Sequence, residues 1–239
     1  MAEEPIKLFA SRAERYPQPD ESDAMQSAAR AALASIPVLG GPIVELLPLI
    51  VTPAIARRRD EWVKELADSL EKLESKVEGF KVKNLVNDDA FVSAVIQTTR
   101  SAMATHQLEK RAMLRNTLLN TALGKGPNEE LRDVFLATID GFSPYHLKVL
   151  KFIWTGVADL NEAGKWNTLH PYRLTNYVTA IGELHPDLKA QESLLLYIMT
   201  DLKSKGFTTV SRPHDSFPQS PGITNMGIEF LQFVLKSPV

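Results

Sequence analysis

The chain has 239 residues, of which 27 are lysine or arginine and 29 are aspartate or glutamate, so its formal net charge is −2 at pH 7. This balance excludes a global electrostatic attraction to nucleic acid or anionic lipid, and the absence of cysteine excludes disulfides, thiolate nucleophiles and cysteine-based zinc sites. Hydrophobic residues make up 44% of the sequence, which is enough to bury a core, and the length predicts two modest domains.

The N-terminal residues 1–23 are polar and contain Pro5, Pro17 and Pro19, which predicts an extended, loosely attached arm. They open with acidic residues rather than with a basic region followed by an apolar stretch. Because a secretory signal has the opposite order, the protein is expected to be cytoplasmic.

Residues 31–56, the apolar segment, contain Glu45 as their only ionisable residue and end at the basic cluster Arg57-Arg58-Arg59. By length alone the segment could span a bilayer. Prolines and glycines would nevertheless interrupt one continuous helix several times. These residues are Pro37, Gly40, Gly41, Pro42, Pro48 and Pro53. The segment is therefore predicted to form a hairpin or two short helices that turn at Gly40-Gly41-Pro42.

From Arg57 onward the sequence has the pattern of an amphipathic helix, with apolar residues three and four positions apart. These residues are Val63, Leu66, Leu70, Leu73 and Val77. Gly79 ends the helix, and Asn87-Asp88-Asp89 offers an N-cap for a second long helix that runs to about Leu123. With the apolar segment, this antiparallel hairpin predicts a bundle of about four helices over residues 24–141.

Residues 142–239 predict a small winged-helix domain. Ser143-Pro144 is an N-cap followed by proline at the first helical position, and two further helices are expected over about 172–184 and 188–204. The residues from Thr155 to Pro171 are expected to form a loop. Phe207–Val210 is β-prone and precedes a proline-rich loop, a second short strand and a last helix. The predicted fold class is mainly α: a helical bundle followed by a small α+β winged helix.

The C-terminal sequence, from SPYHLKVLKFI through LLYIMTDLKSKGFTTV to ITNMGIEFLQFV, resembles winged-helix modules of bacterial proteins. A helical N-terminal region with an apolar Gly/Pro segment, followed by such a module, is similar to the Abi-alpha group of abortive-infection, phage-defence-associated proteins. In addition, IPVLGGPIVELL followed by RRRDEWVKELADSLEKLE resembles the start of bacterial HeLo-like four-helix bundles, which act on membranes or relay assembly signals. These resemblances imply a role in defence and supply no catalytic residue.

The sequence contains no recognisable catalytic or metal-binding constellation. The five histidines are scattered without paired spacing, and neither a GxSxG elbow nor a P-loop occurs. Gly124-Lys125-Gly126 is interpreted as a helix stop, and acidic pairs such as Asp88-Asp89 and Glu129-Glu130 as helix-start residues that favour the positive end of the macrodipole. We therefore predict a protein that is not an enzyme, with no catalytic residue, cofactor or metal ligand.

The apolar segment has two interpretations. It can pack as a buried hairpin inside the bundle, which the broken pattern favours, or it can leave the bundle and insert shallowly in a membrane or contact a partner. In the second case Arg57, Arg58 and Arg59 would face lipid phosphates, whereas in the first they would pair with acids of the long helices. The apolar residues proposed for membrane or partner contact are Ile36, Val38, Leu39, Leu46, Leu47, Leu49 and Ile50.

The predicted winged helix invites a nucleic-acid interpretation, which its charge does not favour. From Ser143 to the end, nine lysines and arginines face eight aspartates and glutamates, a net charge of +1. Duplex binding requires several phosphates to be neutralised, so a protein-interaction or oligomerisation role is the stronger interpretation. Lys203, Lys205 and Arg212 near the wing are the candidate contacts to nucleic acid.

The leading hypothesis is a non-enzymatic bacterial defence or stress-associated protein, cytoplasmic and peripherally membrane-bound on activation. Its bundle would hold a latent apolar segment, and its winged helix would bind a protein partner or a second copy. The alternative is a transcription regulator that reads DNA through the winged helix and dimerises through the bundle.

Overall fold

The computed structural model describes residues 42–169 and 174–238, with side chains from residue 52 onward. This part of the chain is mainly helical, which confirms the predicted class, and the described ranges contain no strand. The chain divides into two compact units between His106 and Gln107. The sequence predicts a later domain boundary, near residues 141 and 142.

The described part of the N-terminal unit consists of two α-helices joined by a short 3-10 helix. Helix α1 spans Pro42–Lys76, the 3-10 helix spans Val82–Asn87 and helix α2 spans Asp89–Ala104. Asp88 caps α2 as predicted, since its carboxylate accepts the N–H of Phe91 at 2.9 Å. Of the rest of the predicted four-helix bundle, residues 24–41 lie outside the described residues, and residues 107–141 belong to the C-terminal unit.

The predicted interruption of the apolar segment is wrong for its second half. Helix α1 begins at Pro42 and continues through Pro48 and Pro53 without a break. Each internal proline removes one donor from the hydrogen-bond ladder, but a helix of 35 residues retains its other bonds on both sides. Gly40 and Gly41, the other residues of the predicted turn, lie outside the described residues.

Helices α1 and α2 pack as the predicted antiparallel hairpin, but the apolar stripe is shifted by one residue at its start. Trp62 is completely buried, and its indole N–H donates to the Thr99 hydroxyl at 3.0 Å. Leu73 is also completely buried, as expected, whereas Val63 is 47% exposed. The indole supplies both apolar area and a hydrogen bond, so it faces α2 in preference to the smaller valine.

The prediction of one long second helix is wrong, because helix α2 ends at Ala104. Thr105 has an extended backbone, with φ −106° and ψ 145°, and a new helix, α3, begins at Leu108. The break coincides with the division between the two units, so α3 belongs to the C-terminal unit. Helical periodicity continues across a break of this kind and therefore does not reveal it.

The C-terminal unit contains eight described helices. They are α3 Leu108–Ala122, α4 Glu129–Gly141, α5 Pro144–Glu162, α6 Trp166–Leu169, α7 Tyr177–Leu184, α8 Pro186–Lys189, α9 Glu192–Ser204 and α10 Asn225–Leu235. Helix α5 continues well into the predicted loop that was to start at Thr155. Helix α3 packs on α10, and α5 packs on α7 and α9.

Aromatic side chains from four separate segments form the core of this unit. The ring of Phe135 on α4 lies 5.2 Å from that of Phe230 on α10, and Phe230 lies 4.8 Å from Phe207 in the segment after α9. Phe142 contacts the same two rings from the loop before α5. This cluster holds the start of α5 and the end of α9 against α10.

The β-prone residues after α9 pair without forming a strand, so the predicted β element is corrected. Thr208 forms an isolated antiparallel bridge with Ile223, flanked by the bonds Thr209 N–H to Gly222 O and Thr224 N–H to Phe207 O, both 3.0 Å long. The pairing ends at once because Thr224 is already the N-cap of α10. A ladder needs extended residues on both sides, and the partner side is not extended either, since Gly206 has φ 78° and Lys205 has helical dihedral angles.

Candidate functional site

The residues predicted for membrane or partner contact lie mostly where no side chains are described. Ile36, Val38 and Leu39 fall outside the described residues. Leu46, Leu47, Leu49 and Ile50 lie in α1, but their side chains are not among those described. None of the helices in the described part of the chain has both the length and the apolar character needed to cross a membrane.

Each of the three predicted arginines contacts a group of the N-terminal unit. Arg57 Nε lies 3.9 Å from Glu61, one helical turn away, and Arg59 donates to Asp60 at 3.0 Å. Arg58 instead crosses to α2 and donates to the main-chain oxygen of Met103 at 3.1 Å. Arg57 and Arg59 thus lie next to acidic residues of their own helix, while Arg58 joins the two helices. Both ion pairs are largely exposed and therefore weak.

In the C-terminal unit, helix α9 has one buried face and one exposed face. The buried residues are Leu195, Ile198, Met199 and Leu202. The exposed residues, which we call the α9 outer face, are Glu192, Ser193, Leu196, Tyr197, Thr200, Lys203 and Ser204. Leu196 is 45% exposed and Tyr197 is 62% exposed, and the two are adjacent. The helix therefore presents apolar and hydroxyl groups with one cation, Lys203, and one anion, Glu192.

The predicted nucleic-acid contacts lie at the end of α9 and in the loop that follows it. Lys203 is exposed on the α9 outer face, whereas the ammonium of Lys205 pairs with Asp201 at 2.9 Å on the same helix. Arg212 is exposed in the loop after Val210, where its backbone N–H donates to Asp215 at 3.0 Å. Pairing with Asp201 reduces the positive charge that Lys205 could offer to phosphate.

The proline-rich loop is bonded to neighbouring helices instead of projecting as a free wing. The main-chain oxygens of Pro213 and Asp215 accept the N–H groups of Val178 and Tyr177, at 2.8 and 3.3 Å, and so satisfy donors in the first turn of α7. His214 Nε2 lies 2.6 Å from Glu192 in the first turn of α9. These contacts hold the loop that carries Arg212 against α7 and α9.

His146, in the first turn of α5, is buried beside α9. Its Nδ1 accepts the backbone N–H of Ser143 at 3.2 Å and lies 2.8 Å from the Ser143 hydroxyl, in the manner of a capping box. Its ring stacks on that of Phe142, with 4.8 Å between the ring centroids. It also packs edge to face with Tyr197, with 6.0 Å between the centroids. Its Nε2 faces Asp201 at 3.6 Å, within ion-pair range but beyond hydrogen-bond distance.

The environment of His146 favours the neutral imidazole. Burial lowers the pKa of His146 below the ordinary value of 6.5, the carboxylate of Asp201 raises it and the ammonium of Lys205 lowers it again. Asp201 is thus shared between a buried imidazole and an exposed lysine on its own helix. The arrangement links the start of α5 to the helix that carries Tyr197.

Ser143, His146 and Asp201 have the residue types of an acyl-transfer triad, and sequence reasoning did not bring them together. The imidazole nitrogen nearest the hydroxyl already accepts the Ser143 backbone N–H, so it is engaged in shaping the start of α5. The sequence SPYH at a helix start could have indicated the local pair, since histidine at this position can act as the capping acceptor. Asp201 is brought in by tertiary packing.

A groove of about 320 Å³ lies between the loop after α3 and helix α10. Lys125, Phe233 and Lys236 are among its lining residues, together with Glu229. The groove does not gather groups for acid–base chemistry. Among the described residues, no cluster of histidine, aspartate and glutamate could hold a metal ion.

The comparisons with known proteins found no match. No family model, no curated protein and no solved structure aligns significantly with the chain.

Proposed function

We propose that the chain is a non-catalytic interaction protein whose C-terminal unit binds a protein partner through the α9 outer face. The observation that carries this proposal is the exposure of Tyr197, at 62%, beside Leu196, at 45%. Tyrosine offers a large apolar area with a hydroxyl at its tip, and it is enriched in protein interfaces. The same face carries one cation, Lys203.

Within this proposal, α5, α7, α9, the paired segments and α10 form a reduced winged helix. In a helix-turn-helix the second helix of the motif is the one that presents its surface to the ligand, and α9 occupies that place. The short pairing around Thr208 and Ile223 would be the remnant of the wing. Because the loop after Val210 is held against α7 and α9, α9 would be the exposed element that binds the partner.

A protein partner is preferred to DNA because of the charges on and near α9. Lys205 is paired with Asp201, and Glu192 at the start of the helix is close to His214. Phosphate contacts from Lys203 and Arg212 alone would give little affinity at physiological salt. The role in bacterial defence implied by the Abi-alpha resemblance, with an apolar segment that acts on a membrane or a partner after activation, is part of the same proposal.

The first experiment is site-specific photo-crosslinking in the native cell. A benzoylphenylalanine placed at Tyr197 is expected to form a saturable crosslink to one protein, and the Leu196→Asp change in the same chain should abolish it. The matched control is the same probe at Val134 on α4, which is 48% exposed and lies outside the α9 outer face. Equal labelling from both positions would contradict the proposal.

A second measurement distinguishes the DNA-binding alternative. Anisotropy with labelled duplex DNA is expected to show no more than weak binding, with no effect of Lys203→Ala or Arg212→Ala. Tight binding that falls steeply between about 50 and about 200 mM salt, and that depends on these two residues, would replace the present proposal with a DNA-binding regulator.

A further inference from the structure

We infer that His146 acts as a proton-controlled contact between helices α5 and α9, and that its protonation changes the position of Tyr197 on the α9 outer face. The structural change is a property of the chain by itself. Its effect on partner binding rests on the proposed function of that face.

The hydrogen bonds of His146 define its neutral form. Because Nδ1 accepts the backbone N–H of Ser143 at 3.2 Å, the imidazole proton must reside on Nε2. The Nε2 atom is buried without a hydrogen-bond partner, 3.6 Å from the Asp201 carboxylate. The hydrogen bonds of the neutral ring therefore come only from the start of its own helix.

Protonation reverses this arrangement. A second proton on Nδ1 removes the acceptor of the Ser143 N–H, so that half of the capping box is lost, although Nδ1–H can then donate to the Ser143 hydroxyl 2.8 Å away. The imidazolium also gains an ionic attraction to Asp201 through Nε2, at a distance that must shorten before a hydrogen bond forms. The anchoring of the ring thus shifts from α5 toward α9.

Two further groups on α9 respond to that shift. Asp201 is at present paired with Lys205 at 2.9 Å, so an imidazolium competes with that ammonium for the same carboxylate. Tyr197 packs at 86° to the imidazole ring, with 6.0 Å between centroids, so its position depends on that of the ring. A change in the position of the His146 ring therefore changes the position of Tyr197, the aromatic side chain of the α9 outer face.

The charged and titratable groups around His146 are few. Those that act on it electrostatically are Asp201 and Lys205, and Tyr197 is the titratable side chain that contacts its ring. On its own helix, Tyr145 is hydrogen-bonded to Asp187 and lies beneath the ammonium of Lys148. Burial holds the pKa of His146 below the ordinary 6.5, so the change is expected in mildly acidic solution.

The test uses the full chain labelled with fluorotyrosine and ¹⁹F NMR, with the Tyr197→Phe variant identifying one of the five tyrosine signals. In the wild type, the Tyr197 signal is expected to move in a single transition below pH 6.5. The midpoint should equal the pKa of His146 measured from its own ring protons.

The decisive variant is His146→Gln, because glutamine can accept the Ser143 N–H in a capping box and does not titrate. It should remain folded and remove the transition of Tyr197, whereas His185→Gln, at a histidine whose pKa is also lowered by burial, should leave it unchanged. Asp201→Asn should move the transition to lower pH, since the carboxylate raises the pKa of His146.

Two results would overturn the inference: a Tyr197 transition that persists in His146→Gln, or titration of His146 in the wild type without movement of Tyr197. Neither result bears on the photo-crosslinking at residue 197, which tests the partner-binding face independently. If benzoylphenylalanine at position 197 gives no saturable crosslink, but the wild type shows a Tyr197 transition that His146→Gln removes, the inference about His146 holds and the proposed function is wrong.

Discussion

The side-chain amide of Asn120 donates to the main-chain oxygen of Phe233 at 2.8 Å, although the two residues are 113 positions apart in the sequence. The same amide nitrogen reaches the oxygen of Lys236 at 3.0 Å, and Asn116, one turn earlier on α3, donates to the oxygen of Val234 at 3.1 Å. The last carbonyls of a helix have no partner within it. Two buried asparagines of α3 therefore complete the C-terminal end of α10.

Replacement of Asn120 is expected to destabilise the C-terminal unit. Asn120→Ala leaves carbonyls of α10 without their donor, which should lower the free energy of unfolding by about 1–3 kcal/mol. Asn120→Asp should cost more, because a carboxylate would face the negative end of the helix dipole. Urea unfolding measures both values, with Asn161→Ala, at an exposed position on α5, as the control. Equal effects at the two alanine sites would contradict the capping role.

The hydrogen bond between Trp62 and Thr99 offers a test of the helical hairpin. Thr99→Val removes the acceptor and leaves the buried indole N–H unpaired, which should cost about 1–3 kcal/mol. In Trp62→Phe the donor is absent, so the valine substitution should then cost much less. A double-mutant cycle from urea unfolding gives the coupling energy. Additive effects would show that the bond contributes nothing measurable.

Gly227 is expected to tolerate no side chain. A Cβ at this position would lie 2.3 Å from the main-chain oxygen of Phe207 and 2.8 Å from the side chain of Ile223, so Gly227→Ala must displace the segment paired with α10. Overpacking of this kind costs about 1–3 kcal/mol. The matched control is Gly141→Ala at the end of α4, where a Cβ would meet nothing within 4 Å. Thermal unfolding followed by circular dichroism should separate the two variants clearly.

Stability should decline as the pH falls below 6.5. The pKa values of His146 and His185 are both lowered in the folded chain, mainly by burial, with an ordinary value of 6.5. Between the folded and ordinary values the unfolded chain binds more protons, so their contribution to stability is fully present above pH 6.5 and is lost as the pH falls through the folded values. Urea midpoints from about pH 7.5 to about pH 5 should show this decline.

The variants His146→Gln and His185→Gln should each flatten part of that decline. Their effects should add, because the two histidines have different charged neighbours, Asp201 and Lys205 for His146 and chiefly Lys148 and Asp187 for His185. A decline that is identical in both variants and the wild type would assign the pH dependence to other groups.

Much of the fold could be predicted from local patterns. Asp88, Asn128 and Ser143-Pro144 mark the starts of α2, α4 and α5, and each signal works through the few residues that follow it. The hairpin of α1 and α2 also follows from periodicity, although the register differs because the pattern did not assign Trp62 to the core. The candidate site was only partly predicted: Asp201 and Lys205 have the four-residue spacing of a local helical ion pair, whereas the exposure of Tyr197 depends on tertiary packing.

Composition and local spacing by themselves determined that this protein is mainly helical, where α2, α4 and α5 begin and that it lacks thiols, because propensity, capping and periodicity act over a few residues. Tertiary structure decided the rest. It placed Asn120 at the end of α10, reduced the predicted strands to a bridge at Thr208, and brought Asp201 to His146. Each of these contacts depends on burial and on residues distant in the chain. Local sequence patterns do not include the free energy of such contacts.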